Sequence, residues 1–231
     1  MEKVLADIFM SRNLNNIQRY SLVRTNKDQS VAEHSFGVAV LSSLILKDLK
    51  NYFPQYFLFL TNNSCSSCIW NLSELYILKS SLYHDLGEAV TGDVTYPFKH
   101  SKHFSDSGER DYIKSQFEDG LFSDELPLLL DFSDELKLGR LSYFFSLLPD
   151  EIQESTDREQ FSPFLHQLDG ITKFCDCLEL LIYTYEEIKS GNTFIEPIWK
   201  EGTKILNSER FRFIIDNSIL AQVILKSLSL N

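Results

Sequence analysis

Two imidazoles and two carboxylates stand out from an otherwise ordinary chain. His34 lies on the apolar face of a helical pattern, His84 and Asp85 are adjacent, and Asp169 interrupts the apolar face of a later segment. Imidazole and carboxylate are ligand types for a divalent transition metal. A metal would also supply the countercharge that a buried Asp169 needs. Three helices of a bundle can aim such groups at one point. On residue types and periodicity alone, the commoner readings are blander. They are a hydrogen-bonded core histidine, an aspartate on a misassigned face, and a chance His-Asp pair.

The elements that must position these groups read as helices. Ser30-Val31-Ala32-Glu33 has the form of a capping box, with Ser30 as N-cap and Glu33 reaching back. The helix it starts carries His34, Val38, Leu41 and Ile45 on one face. Leu75, Leu78 and Leu82 suggest a second helix through about Asp85. A third is expected from about Phe164 to Lys189, with Leu165, Leu168, Ile171, Cys175 and Leu178 inward and Gly191 as its stop. Residues 51–68 and 91–102 read as loops, and 106–159 as an acidic region of short helices. No alternating strand pattern is present, so the expected fold is all-α and one domain over residues 1–231.

Composition narrows the function classes. The chain has 231 residues, 43% hydrophobic and 24% charged, enough for a substantial core. Lys plus Arg is 22 against 33 Asp plus Glu, a net charge of −11, which argues against general nucleic-acid binding. A small anionic substrate remains compatible if a local cation outweighs the global field. The first residues lack the apolar run of a signal peptide and no stretch suits a bilayer, so a cytoplasmic protein without membrane contact is expected. Cys65 and Cys68 have zinc-knuckle spacing without a second pair at a suitable distance. With Cys175 and Cys177 they read as reduced thiols.

The local words carry more information than the composition. Arg19-Tyr20 precedes Val31-Ala32-Glu33-His34-Ser35. Then come Tyr83-His84-Asp85-Leu86-Gly87-Glu88-Ala89-Val90-Thr91-Gly92-Asp93 and Pro97-Phe98-Lys99. Leu168-Asp169 follows in a helix continuing to Cys177-Leu178-Glu179. From about Asn15 to Asn192 this pattern closely resembles the HD-domain phosphohydrolase superfamily, in its 5′-deoxynucleotidase (YfbR-like) branch. The resemblance implies a helical bundle with a metal site between helices. Residues 51–68 become an inserted loop that absorbs an excess of about fifteen residues between His34 and His84. Residues 193–231 become a C-terminal helical extension.

On these residues the resemblance implies four ligands, His34, His84, Asp85 and Asp169, for one divalent ion such as manganese or cobalt. Glu88 would handle a proton of the attacking water or leaving group, Arg19 would hold the phosphate, and Asp93 would meet the sugar 3′-hydroxyl. Tyr20, Thr91 and Lys99 would line the pocket, with Tyr20 standing where that branch has a tryptophan associated with excluding the ribose 2′-hydroxyl. The implied activity is removal of phosphate from (deoxy)nucleoside 5′-monophosphates. A dNTP triphosphohydrolase drawing on Arg24, Lys27 and Lys102 is the nearest alternative, and a nucleotide-binding protein without turnover is the next. A homodimer is implied, with the aromatics of residues 52–59 as one candidate contact.

Overall fold

A reciprocal capping box starts the helix that carries the first imidazole. The Ser30 amide and hydroxyl both donate to Glu33 Oε2, at 2.8 and 2.9 Å, and the Glu33 amide donates to Ser30 Oγ at 3.2 Å. These bonds satisfy donors that a helix start leaves open. The structure is a computed structural model that describes residues 1–52, 66–93, 106–129, 142, 144–148, 150–155 and 158–230.

In chain order the helices are α1 (Glu2–Asn13), α2 (Val31–Tyr52), α3 (Ser66–Tyr83), α4 (Glu88–Thr91) and α5 (Asp106–Phe117). They continue with α6 (Leu126–Leu129), α7 (Asp150–Ser155), α8 (Arg158–Lys189), α9 (Glu196–Leu206), α10 (Arg212–Asn217) and α11 (Ile219–Ser227). Short 3₁₀ turns at Ser123–Glu125 and Glu209–Phe211 join neighbours. Among the described residues there is no strand, only an isolated antiparallel bridge between Gln18 and Ser30. The all-α expectation therefore holds.

The main core lies where α2, α3 and α8 pack together. Val38, Ile45, Tyr76, Leu168, Phe174 and Leu178 are at its centre, each fully buried. Phe211, Ile214 and Leu225 from the C-terminal helices join the same cluster. A second cluster, including Leu14, Val31, Leu86, Ile113 and Phe117, ties α1, α4 and α5 to the first turn of α2. It braces the end of the bundle that carries His34.

Several boundaries and one face differ from the sequence expectation. The 51–68 stretch is not all loop, because α2 runs to Tyr52 and α3 begins at Ser66. Residues 53–65 lie outside the described residues. The expected loop at 91–102 is described only through Asp93. Lys99, Lys102, His100 and His103 therefore lie outside the described residues, as do Cys65 and the side chain of Cys68. Cys175 and Cys177 are free thiols.

Helix α8 starts six residues before Phe164 and runs through Pro163, whose missing N–H removes a single helical bond. Its end is as expected: Gly191 adopts φ +91, and the Asn192 amide donates to Glu187 O at 3.0 Å.

The α3 face is a correction. Leu75 and Leu82 are 42% and 43% exposed, while Ile69, Ser73, Tyr76, Ile77, Ser80 and Ser81 are buried. The small serines let α2 and α3 approach closely, with Ser81 Oγ donating to Ser42 Oγ at 3.1 Å.

Removing the capping box should be costly. Ser30→Ala is expected to lose about 1 kcal/mol of stability, read from urea unfolding. The Glu33 carboxyl is held below its ordinary range, first by the Ser30 amide and then by its hydroxyl. A carboxyl whose folded pKa is depressed stabilises fully above its unfolded pKa and loses that contribution as pH falls through the folded value. The stability difference between the natural chain and Glu33→Ala should therefore be present at pH 7 and shrink toward pH 3.

Candidate metal centre

Each imidazole is aimed by a fixed partner on its far nitrogen. His34 is fully buried, and its Nδ1 bonds Glu179 Oε2. Its Nε2 lies 3.0 Å from a second carboxylate oxygen, Asp176 Oδ1, so both ring nitrogens face carboxylate acceptors. His84 follows the C-terminus of α3, and its Nδ1 donates to Ser81 O at 2.7 Å. Its Nε2 is buried without a hydrogen-bond partner. The two rings meet edge to face with centroids 5.4 Å apart.

Both Nε2 atoms face the same two carboxylates. His34 Nε2 is 3.0 Å from Asp176 Oδ1 and 3.7 Å from Asp85 Oδ2. His84 Nε2 is 3.2 Å from Asp85 Oδ2 and 3.9 Å from Asp176 Oδ1. A divalent ion bound at about 2.1 Å would space neighbouring octahedral ligands about 3.0 Å apart and opposite ones about 4.2 Å apart. The four distances fall within that span. The donor types, the spacing and the unpartnered Nε2 of His84 fit one divalent cation held by His34, His84 and Asp85, whose ligand atoms lie within 4.8 Å of one another, with Asp176 Oδ1 facing both imidazoles.

The electrostatics agree with that fit. Burial works against a charge on His84, but Asp85 and then Asp176 outweigh it and push its pKa up to about 10. Burial would raise the Asp176 carboxyl, and His34 and His84 pull it below its ordinary value. The pocket is built to hold positive charge.

Asp169 is not part of this cluster, which corrects the expected fourth ligand. Its Oδ1 accepts the Tyr76 hydroxyl at 2.8 Å. Asp169 precedes Asp176 by seven residues, or about 10 Å along α8. Two turns return almost to the same face, so Asp176 lies on the same stripe as Asp169 but level with the imidazoles.

The other expected residues are distributed as follows. Arg19 donates through Nη1 to Gln29 Oε1 at 3.1 Å and to Glu179 Oε2 at 3.3 Å. Burial opposes its charge, but Tyr20, Glu179, Asp85 and Asp176 overcome this and raise its pKa above the ordinary value. Tyr20 has φ +61 and stacks on Tyr183, with centroids 5.0 Å apart and rings 3° from parallel. Its amide donates to Asp93 Oδ2 at 3.1 Å, and its hydroxyl is buried without a hydrogen-bond partner. Glu88 opens α4 one turn after Asp85 and is only 6% exposed. Thr91 ends α4, with its hydroxyl on Gly92 O. Reading the sequence missed Asp176 as a ligand candidate and Glu179 as the partner of both His34 and Arg19. The Asp-x-x-Glu pattern on the α8 stripe was the available signal.

A helical fold with a histidine on one helix, a His-Asp pair after the next and an aspartate on a long third helix goes with a similarity to the YfbR-like 5′-deoxynucleotidases. The family model for YfbR-like 5′-deoxynucleotidases matches residues 8–110. A 5′-deoxynucleotidase of Vibrio parahaemolyticus is 28% identical over 182 residues, covering 76% of this chain and 71% of that protein. One of Pasteurella multocida is 25% identical over 180 residues with the same coverage. Among solved structures, a Pyrococcus horikoshii protein matches with a TM-score of 0.59 at 17% identity, covering 98% of this chain and 99% of its own. An HD-domain phosphohydrolase of Listeria innocua matches with a TM-score of 0.50 at 18% identity, covering 96% and 94%. At these identities the solved structures speak to the fold.

The corrected ligand set has a direct test. Asp176→Ala is expected to weaken cobalt binding by about tenfold or more, and Asp169→Ala to leave it nearly unchanged, as measured by calorimetry. Equal losses in both variants would contradict the assignment.

Proposed function

We propose that this chain is a metal-dependent 5′-nucleotidase that hydrolyses nucleoside 5′-monophosphates, deoxy forms included, to nucleoside and phosphate. One observation carries the reading: metal-type donors converge beside Arg19, a part-buried cation held in place by Glu179 and Gln29. The curated relatives named as 5′-deoxynucleotidases support the substrate class.

In this reading His34, His84, Asp85 and Asp176 hold a divalent ion, with manganese and cobalt the first to test. When bound, such an ion lowers the pKa of water toward neutrality and offsets phosphoryl charge. Arg19 binds the phosphate with a planar donor set suited to its oxygens and stabilises charge that grows in the transition state. Glu88, a buried carboxyl one turn from Asp85, moves the proton of the attacking water or the leaving oxygen. Asp93 keeps Tyr20 in place through its amide and offers its second oxygen to the sugar hydroxyl. Tyr20 and Thr91 belong to the pocket wall. The Tyr20 hydroxyl bears on 2′-deoxy preference, which paired dNMP and NMP substrates will read out.

The proposal extends to a single domain acting as a cytoplasmic homodimer. Among the described residues, no helix is long and apolar enough to cross a membrane. Phe36, Val40 and Leu44 form an exposed apolar row on the outer side of α2, compatible with a second copy. Sedimentation of the purified chain checks the dimer.

The activity test uses purified protein with each dNMP, NMP and dNTP in the presence of manganese or cobalt. Release of orthophosphate from monophosphates is expected. Arg19→Ala should lower kcat/KM by about 10²-fold or more, as expected for loss of a charge-stabilising donor. Tripolyphosphate from dNTPs without monophosphatase activity would overturn the reading, as would binding of monophosphates without turnover.

A further inference from the structure

Glu179 is the meeting point of the two halves of the site. Its Oε2 accepts from His34 Nδ1 and from Arg19 Nη1, and its Oε1 accepts from Gln29 Nε2 at 2.6 Å. Gln29 closes the triangle by accepting from Arg19 Nη1 at 3.1 Å. One carboxylate therefore orients a metal-type imidazole and tethers the guanidinium beside it. Space is reserved for it: a Cβ at Gly37, one turn after His34 on α2, would lie 2.9 Å from Glu179 Cγ and 3.3 Å from Oε1. Any side chain at position 37 would push Glu179 from its place.

Glu179 also belongs to a longer stripe of α8. Asp176, Glu179, Tyr183 and Glu187 recur at helical spacing on one side. Tyr183 stacks on Tyr20 and its hydroxyl bonds Lys27 O. Glu187 accepts the Asn26 and Lys27 amides at 2.7 and 2.9 Å. The stripe thus clamps the segment that carries Arg19 at three successive points, and only Glu179 touches both that segment and a metal-type imidazole.

We propose that Glu179, seated against Gly37, is a positioning residue that aims His34 Nε2 at the metal and holds Arg19 for the phosphate, so that affinity for both ligands depends on this one side chain. The inference rests on the metal-site reading above, but not on turnover.

The test uses the full chain with cobalt and inorganic phosphate as probes. Cobalt binding is followed by calorimetry and by its visible absorption, and phosphate binding is measured on the cobalt-loaded protein. Glu179→Ala is expected to weaken cobalt binding about 10- to 100-fold, the range for loss of a histidine's outer partner, and to weaken phosphate binding in parallel. Glu179→Gln, which keeps the shape but not the charge, should recover part of both losses. Gly37→Ala should shift both in the same direction as Glu179→Ala. The cobalt spectrum should change in all three, and each metal-free variant should still melt in one cooperative transition.

Folded Glu179→Ala with both affinities unchanged would overturn the proposal, as would loss of only one affinity. A purely structural role would lower melting temperatures and leave the affinities of the folded protein intact, which also overturns it. If Glu179→Ala does not fold, Glu179→Gln and Gly37→Ala decide by the same criteria. A natural chain that binds cobalt and phosphate but hydrolyses no nucleotide would sink the nucleotidase reading and leave this one standing. A natural chain that binds no cobalt would sink both.

Discussion

The site depends on two imidazole rings that cannot choose their own direction. Glu179 holds Nδ1 of His34 and the Ser81 carbonyl holds Nδ1 of His84, so the opposite nitrogens converge on Asp85 and Asp176. A ring held in this way has lost its rotational freedom before any ligand arrives. The entropy of ordering the site is met during folding and not during binding. It follows that the second row of partners matters as much to this centre as the ligands themselves.

Helix α8 makes that row by serving two environments along its length. Its apolar rows enter the main core through Leu168, Phe174 and Leu178. Its polar stripe meets the segment between α1 and α2. The core holds the helix rigid, and the rigid helix presents Asp176, Glu179, Tyr183 and Glu187 at fixed intervals. The segment they grip has little regular structure beyond the bridge between Gln18 and Ser30. Its shape comes from those side chains more than from its own backbone pairing.

Features governed by neighbours in the chain were readable from the sequence. The Ser30–Glu33 capping box, the Gly191 stop and the sides of α2 and α8 that enter the core all follow from local rules. His34 and the His84-Asp85 pair were legible because distinctive words surround them. Height along a long helix was not legible. Asp169 and Asp176 differ by two turns and almost no rotation, so only contact with α2 and α3 distinguishes them. The α3 face was misread for a related reason: leucines lie on its outer side, while Ser81 meets Ser42 of α2 and Tyr76 turns to Asp169 of α8. The Asp-x-x-Glu spacing put Glu179 on the stripe, but its particular partners were not legible, because its bonds to Arg19 and Gln29 cross about 150 or more residues of chain.

The left-handed backbone at Tyr20 has a consequence for variation at that position. A tyrosine at φ +61 is held against its own preference by about 1 to 2 kcal/mol, and glycine or asparagine would relieve that strain. Either replacement would also remove the ring stacked on Tyr183. The ring is buried, and the packing it would lose outweighs the strain it would shed, so a library screened for stability would keep the tyrosine in spite of its backbone.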